Sequence, residues 1–148
     1  MKLLEILKEI IDIYPPDELS SKDIEYTIKQ ESTRRFIVNL KYKDQYYSLR
    51  IIPLFKRPSI NFGNTDKNYE NINFNELLNS PYSSRILAAI FGLIRYWIDK
   101  YGIQEIEYGA EGKTRNQLYN YYLTKHFSDF QNYQEKFGTG VLQVWKKI

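Results

Sequence analysis

The sequence contains no cysteine and only one histidine, His126. Without cysteine the chain forms no disulfide bond and offers no thiolate nucleophile, which fits a cytoplasmic protein. A lone histidine is more often a surface or packing residue than a catalyst, and no cluster of histidines and carboxylates has the spacing of metal ligands. A G-x-S-x-G nucleophile motif is also missing. These absences argue against metal enzymes and against enzymes with a cysteine or serine nucleophile.

Long hydrophobic runs are missing as well. The longest apolar run, Ile86 to Ile94, is far too short to cross a bilayer, so we expect no membrane span. The hydrophobic content of 43% is that of an ordinary globular core. A length of 148 residues suits one domain, and no linker or low-complexity tract divides the chain. We therefore predict a single domain over residues 1–148.

Charge is distributed unevenly along the chain. Residues 1–31 hold four lysines and eight acids, a net charge of −4, whereas residues 32–58 hold seven bases and one acid, a net charge of +6. A basic segment rich in aromatic residues attracts nucleic acid. The alternative is that these bases form the solvated side of strands, because they alternate with apolar residues. The pattern favours the second interpretation and leaves weak nucleic-acid association open.

Hydrophobic periodicity predicts a helix followed by a β region in the first half of the chain. Apolar residues at three- and four-residue steps predict a helix over 3–14, which the two prolines that follow bring to an end. A polar loop at 64–70 is poor in packing residues and is the segment that we expect to be most mobile. Alternating patterns rich in β-branched and aromatic residues predict strands over 23–30, 34–43, 45–55, 59–64 and 71–78.

The second half alternates helices with strands. Ser80 and Pro81 predict the start of a long helix, and Gly102 predicts its end. A strand over 103–110, a helix over 112–127 and a hairpin made of 133–137 and 140–147 follow. This order predicts a mixed α/β (α+β) fold, with an antiparallel meander followed by a strand–helix–strand–helix unit and a C-terminal hairpin. Within that unit we expect the strands at 73–78 and 103–108 to be parallel neighbours, with Ile103 and Ile106 in a central strand.

A Gly-Lys-Thr sequence at residues 112–114 raises the question of a phosphate-binding loop. A P-loop requires G-x-x-x-x-G-K-[ST], because the long glycine loop wraps backbone N–H groups around the phosphates. The residue five positions before Gly112 is Glu107, and Gly109 is only three positions before it. The segment is therefore not a Walker motif, which argues against nucleotide hydrolysis.

The turn Asn79–Arg85, "NSPYSSR", is a stronger candidate for an anion site. The first N–H groups of a helix are unpaired and carry a partial positive charge, so an anion binds well there. Ser80, Ser83, Ser84 and Arg85 are the residues of this turn that suit a phosphate. The structural alternative is that Ser80 caps the helix while the other three are surface residues.

The stretch Asn79–Phe127 resembles the C-terminal core of small GNAT-like (N-acetyltransferase-like) proteins common in bacteriophage genomes. The shared pattern is a polar turn, a long apolar helix, a strand that ends in small residues, and an Arg-x-x-Leu-Tyr sequence that opens another helix. Arg115, Leu118 and Tyr119 match that last element. The resemblance implies a GNAT-like domain in which this strand diverges from the one before it and leaves a cleft.

For an active acetyltransferase the resemblance implies that acetyl-CoA binds at the turn before the long helix. Its cofactor-binding residues would be Ser80, Ser83, Ser84, Arg85 and Arg115. Tyr119 would protonate the leaving thiolate and Glu107 would act as general base. We expect Arg115 and Tyr119 to face the cleft that the turn borders. The structural alternative is that Leu118, Tyr119 and Tyr122, at helical spacing, belong to the core.

Active members of the family carry glycines in this turn, which let backbone amides reach the pyrophosphate of acetyl-CoA. This sequence has no glycine between Asn79 and Arg85, and Pro81 offers no N–H group. We therefore expect a non-catalytic GNAT-like module without a cofactor, of phage type, that engages a host or virion protein. An acetyl-CoA-dependent N-acetyltransferase is the first alternative, and a nucleic-acid-binding protein that uses residues 32–58 is the second.

Overall fold

The computed structural model describes residues 13–14, 16–19, 23–54, 56–109 and 113–148. Nearly all of the predicted N-terminal helix lies outside these residues, as does Gly112. The strands are β1 (Glu25–Glu31), β2 (Phe36–Tyr42), β3 (Gln45–Leu54), β4 (Arg57–Thr65), β5 (Glu105–Gly109), β6 (Phe130–Phe137) and β7 (Gly140–Lys147). The helices are α1 (Pro16–Leu19), α2 (Phe74–Asn79), α3 (Ser83–Tyr101) and α4 (Lys113–His126).

The described strands form one sheet in the order β1-β2-β3-β4-β5-β7-β6. The first four strands are an antiparallel meander, which confirms the prediction from the alternating pattern. Along β2 every second residue from Phe36 to Tyr42 is buried, so one face of the meander packs into the core. Lys43 and Asp44 turn the chain from β2 to β3 with φ angles of 51° and 60°, the left-handed conformations of a tight two-residue hairpin.

The prediction of a strand over 71–78 is wrong, because this segment contains most of helix α2. Asn73 caps the helix, and its Oδ1 accepts a hydrogen bond from the backbone N–H of Glu76 at 2.9 Å. Leu77 is fully buried on one side of the helix. The cap and the burial of this single side favour a helix over an alternating strand.

The strand beside β5 is therefore β4, and the two strands run parallel. Ser59 and Ile60 of β4 pair with Glu107 and Tyr108 of β5. The predicted parallel strand–helix–strand unit is thus present, but its first strand is β4 rather than the segment at 73–78. β7 pairs antiparallel with the other edge of β5 and forms the predicted hairpin with β6. Of the two isoleucines expected in the central strand, Ile106 lies in β5, whereas Ile103 precedes it.

Helix α3 connects the two parallel strands after α2. It ends at Gly102, whose φ of 60° is the left-handed cap that the sequence predicts. It begins two residues later than predicted, with Tyr82 rather than Ser80 at the N-cap, because the backbone N–H of Ser80 donates to the carbonyl of Leu77 and so ends α2. The residues from Ile86 to Ile94 are all buried, which makes α3 the central helix of the core.

The core between the helices and the sheet is rich in aromatic rings. Tyr119 of α4 stacks on Tyr108 of β5 with ring centroids 3.7 Å apart, and Tyr122 stacks on Phe91 of α3 at 3.8 Å. All four belong to one hydrophobic cluster that also includes the meander. The alternative that Leu118, Tyr119 and Tyr122 are core residues is confirmed, because all three are fully buried.

The polar loop between β4 and α2 packs on the sheet, so the prediction that it lacks packing residues is wrong. The ring of Tyr69 lies 5.5 Å from that of Tyr46 in an edge-to-face contact. The carbonyl of Tyr69 accepts a hydrogen bond from the guanidinium of Arg50. The carboxylate of Asp66 accepts hydrogen bonds from the backbone N–H groups of Asn68 and Glu70 at 2.9 and 3.0 Å. These contacts give the loop a fixed path across the strands.

Candidate functional site

A cavity of about 390 Å³ lies where the β2–β3 turn, the end of β4, helix α2 and the start of α3 meet. The turn that the sequence singles out as an anion site forms part of its wall. The lining residues are Lys43, Gln45, Asn64, Glu76, Asn79, Ser80, Pro81 and Tyr82.

Of the four predicted residues of the turn, only Ser80 lines the cavity. The Oγ atom of Ser80 accepts a hydrogen bond from the backbone N–H of Tyr82 at 3.1 Å, so Ser80 shapes the wall of the cavity. Ser83 is buried, and Ser84 is half-buried in the first turn of α3. The burial of Ser83 contradicts the alternative that it is a surface residue, whereas Ser84 remains partly exposed.

Arg85 contacts Tyr42 and does not line the cavity. Its Nη1 donates to the hydroxyl of Tyr42 at 2.6 Å, and its guanidinium lies 5.4 Å from the centre of the Tyr42 ring. The guanidinium is thereby held on the meander. An anion at the turn would have to compete with this contact for the charge of Arg85.

Arg115 lies over α2. Its guanidinium carbon is 4.3 Å from the centre of the Phe74 ring, and its Nη2 lies 3.4 Å from Oδ1 of Asn61. The side chain is thus held against the protein, between the start of α4 and the start of α2. The contact with Phe74 is a cation–π interaction, which stabilises a partly buried guanidinium.

The edge of β4 next to β5 is occupied by the chain itself. β3 pairs with β4 from Arg57 to Thr65, so any further strand must pair with the other edge. β5 uses that edge at Ser59 and Ile60, and beyond them Asn73 pairs with Asn64 through two backbone hydrogen bonds of 2.7 and 3.0 Å. The segment before α2 therefore follows β5 along the same edge of β4.

Tyr119 lies in the aromatic core. Its side chain is fully buried, and its hydroxyl has no hydrogen-bond partner within the described part of the chain. Burial raises the pKa of this hydroxyl far above its ordinary value, so Tyr119 stays protonated. The ring stacks on Tyr108 and contacts Phe62 and Phe91, which leaves it no direct path to a ligand in the cavity.

Glu107 lies on the opposite face of the sheet from Tyr119. Successive residues of a strand point to opposite faces, and Tyr108 points into the core against Tyr119. Glu107 therefore points away, where it is 1% exposed. The structure does not bring the predicted base and the predicted acid together.

Arg57 and two further glutamates surround Glu107. The guanidinium of Arg57 lies 3.5 Å from Glu107, 3.4 Å from Glu105 and 2.6 Å from Glu135. Arg57 lies on β4 and Glu135 on β6, so their ion pair crosses β5 and β7 and covers Glu107 on β5. Burial raises the pKa of Glu107, and the charge of Arg57 offsets this rise only in part.

Sequence reasoning missed most of the residues that line the cavity. Lys43, Asn64 and Glu76 belong to three different elements, so no local motif contains them. One signal was available for Asn64, because it follows Phe62 by two residues in a strand and so takes a core-facing position. A polar residue at a core-facing position is an informative exception to the rule of apolar interiors.

Comparison with protein-family models, with curated protein sequences and with solved structures finds no match for this chain. Among the described residues, no group of three or more histidine or carboxylate side chains has an arrangement that suits a metal ion. None of the helices in the described ranges combines the length and the apolar character that a bilayer span needs.

Proposed function

We propose that this chain is a non-catalytic GNAT-like binding or structural module, of phage type, that engages a host or virion protein in the host cytoplasm. The fold part of the proposal is supported by the parallel pair β4 and β5, the long helix between them and the closing hairpin. One feature departs from the expectation, since the strand before the helix pair is β4 and not the segment at 73–78.

The pairing of Asn73 with Asn64 carries the non-catalytic part of the proposal. Once β5 leaves β4 after Ile60, a GNAT-like cofactor cleft would open along this edge of β4. Here the backbone of Asn73 takes the hydrogen bonds of that edge, and the ring of Phe74 lies beside it under Arg115. A cofactor that binds along β4 would have to displace these contacts.

The predicted chemical groups give further support. Pro81 has no N–H group, and side chains replace the glycines that would let a pyrophosphate approach the turn. Arg85 is engaged by Tyr42. Glu107 and Tyr119 lie on opposite faces of the sheet, so they do not form an acid–base pair around one substrate.

An exposed apolar surface on the C-terminal hairpin favours a protein partner. Tyr133 and Phe137 are 46% and 45% exposed on one face of β6, which is an edge strand of the described sheet. Exposed aromatic residues beside an edge strand are typical of surfaces that bind another chain. The hairpin is therefore the part of the described surface where we place the partner.

Calorimetric titration of acetyl-CoA into the purified protein tests the non-catalytic part. We expect no heat of binding at millimolar acetyl-CoA, because the edge of β4 is occupied and the turn has no glycine. Micromolar binding that is lost in Arg85→Ala and kept in the surface control Arg34→Ala would make the acetyltransferase the better conclusion. A transfer assay with a mixture of amines would then identify the acceptor class.

A further inference from the structure

A buried polar side chain in the wall of the cavity lacks a hydrogen-bond partner. Asn64 lines the cavity, is 2% exposed, and its Oδ1 has no partner in the described part of the chain. Tyr47 pairs with Asn64 across the strands β3 and β4, and its buried hydroxyl faces the side chain of Ser80 in the cavity wall. An unpaired buried polar atom costs roughly 1–3 kcal/mol, and at Asn64, unlike at the buried tyrosines of the core, a ligand in the cavity can supply the missing hydrogen bond.

Two opposite charges stand at the rim of the same cavity. Lys43 is presented by the tight β2–β3 turn, and Glu76 lies in the first turn of α2. Both are exposed, and neither forms an ion pair within the ranges that the structure describes. The wall between them is made of amide and hydroxyl side chains, which hydrogen-bond to charged groups of either sign.

We propose that this cavity binds a small zwitterion of the α-amino acid class. The ammonium group of such a ligand donates to Glu76 and to the unpaired Oδ1 of Asn64. Its carboxylate accepts from Lys43. The unpaired Oδ1 of Asn64 then gains a donor, and both charges are neutralised.

The size of the cavity agrees with this class of ligand. Pockets for drug-sized molecules measure about 300–1,000 Å³, so a cavity of about 390 Å³ suits a molecule at the small end. This binding does not depend on the proposed protein partner or on the absence of acetyl-CoA. A titration with the amino acid alone therefore tests this proposal independently of the acetyl-CoA titration.

The test is a thermal-shift screen of the standard L-amino acids, each alone, followed by calorimetry on those that raise the melting temperature. We expect at least one to bind, and Glu76→Gln and Lys43→Gln each to weaken it about tenfold or more, since each removes a charge-assisted hydrogen bond. The matched controls Glu70→Gln and Lys67→Gln, which change exposed charges outside the cavity, should leave the affinity unchanged.

Modified ligands complete the test. The methyl ester of the best amino acid removes the carboxylate charge, and its N-acetyl form removes the ammonium charge, so both should bind about tenfold or more weakly than the parent. The proposal is overturned if no standard amino acid binds, if both cavity variants keep the parent affinity, or if the two derivatives bind as well as the parent. Circular dichroism of the variants checks that each remains folded.

Discussion

Tyrosine has two different roles in this molecule, and the difference lies in the hydroxyl group. The hydroxyls of Tyr96 and Tyr101 donate to the carboxylate of Glu31 at 3.0 and 2.7 Å and so attach α3 to β1. The hydroxyls of Tyr119 and Tyr122 are buried without a partner in the described part of the chain. The first pair contributes hydrogen bonds to stability, whereas the second contributes stacked rings and loses the hydration of its hydroxyls.

Replacing Tyr119 with phenylalanine should therefore leave stability unchanged or improve it. The substitution keeps the stack on Tyr108 and removes a polar atom that has no partner. We expect the free energy of unfolding in urea to stay constant or to rise by up to about 1 kcal/mol. The control Tyr101→Phe removes a hydrogen bond to Glu31 and should lower it by about 1 kcal/mol. A loss of stability in Tyr119→Phe as large as that in the control would contradict our description of the core.

The sequence allowed most elements to be predicted where their periodicity is long and strong. The meander alternates over many residues, and α3 has a stop signal in Gly102, so both could be read directly. Helix α2 could not, because its six residues are too few to separate a helical period from an alternating one. Asn73, the cap of the helix, was the signal that predicts it, but the residues around Asn73 favour a strand.

The candidate site was predictable only in part, for a related reason. The turn at Ser80 is local in sequence, so its place beside a helix start could be inferred. The cavity also needs Lys43 and Asn64, which long-range folding brings to it. Tyr119 was assigned to a site because of the resemblance to GNAT-like proteins, and a helix rich in tyrosine has too little contrast between its two sides for the sequence alone to settle which side faces the core.

Gly63 is the position where the β4–α2 connection depends on the absence of a side chain. A Cβ atom there would lie 2.6 Å from the backbone carbonyl of Asn73, which cannot move without breaking its pairing with β4. We expect Gly63→Ala to lower the free energy of unfolding by about 1–3 kcal/mol, the usual cost of overpacking. Urea denaturation gives the value directly.

Gly140→Ala is the matched control for this prediction. A Cβ atom at Gly140 would lie 3.5 Å from its nearest neighbour, which is an ordinary contact. That variant should stay within about 0.5 kcal/mol of the parent, as substitutions at open positions do. Equal stability of the two variants would mean that the segment before α2 is not paired with the edge of β4. That edge would then be open to a cofactor.

At the scale of the whole molecule, the bases of residues 32–58 are divided between internal partners and solvent. Arg57 is engaged by three glutamates, and Arg50 donates to the loop carbonyl of Tyr69. Arg34 lies in the turn before β2 and Lys43 in the turn after it, so the seven residues of β2, roughly 20 Å, separate them. The interpretation as solvated bases holds for Arg34 and Lys43, whereas Arg50 and Arg57 have internal partners.

This separation predicts weak and salt-sensitive binding to nucleic acid. Each phosphate contact releases counterions, so the few contacts available at either end should be lost as salt rises. Fluorescence anisotropy with mixed-sequence DNA and RNA probes should show association at low salt and none at physiological salt. A tight complex that survives physiological salt would favour the nucleic-acid alternative over the protein partner.

The parallel pairing of β4 with β5 also orders the events of folding in time. The meander needs only short hairpin connections, so it can assemble while the rest of the chain is still being synthesised. β5 must instead find β4 across the loop, α2 and α3, and its other neighbour, β7, follows only after α4 and β6. Until β7 arrives, β5 has an open edge and the aromatic rings of Tyr108 and Tyr119 have no Trp145 beside them. A nascent chain stalled before its C-terminal hairpin is therefore the species most exposed to aggregation and most dependent on a chaperone.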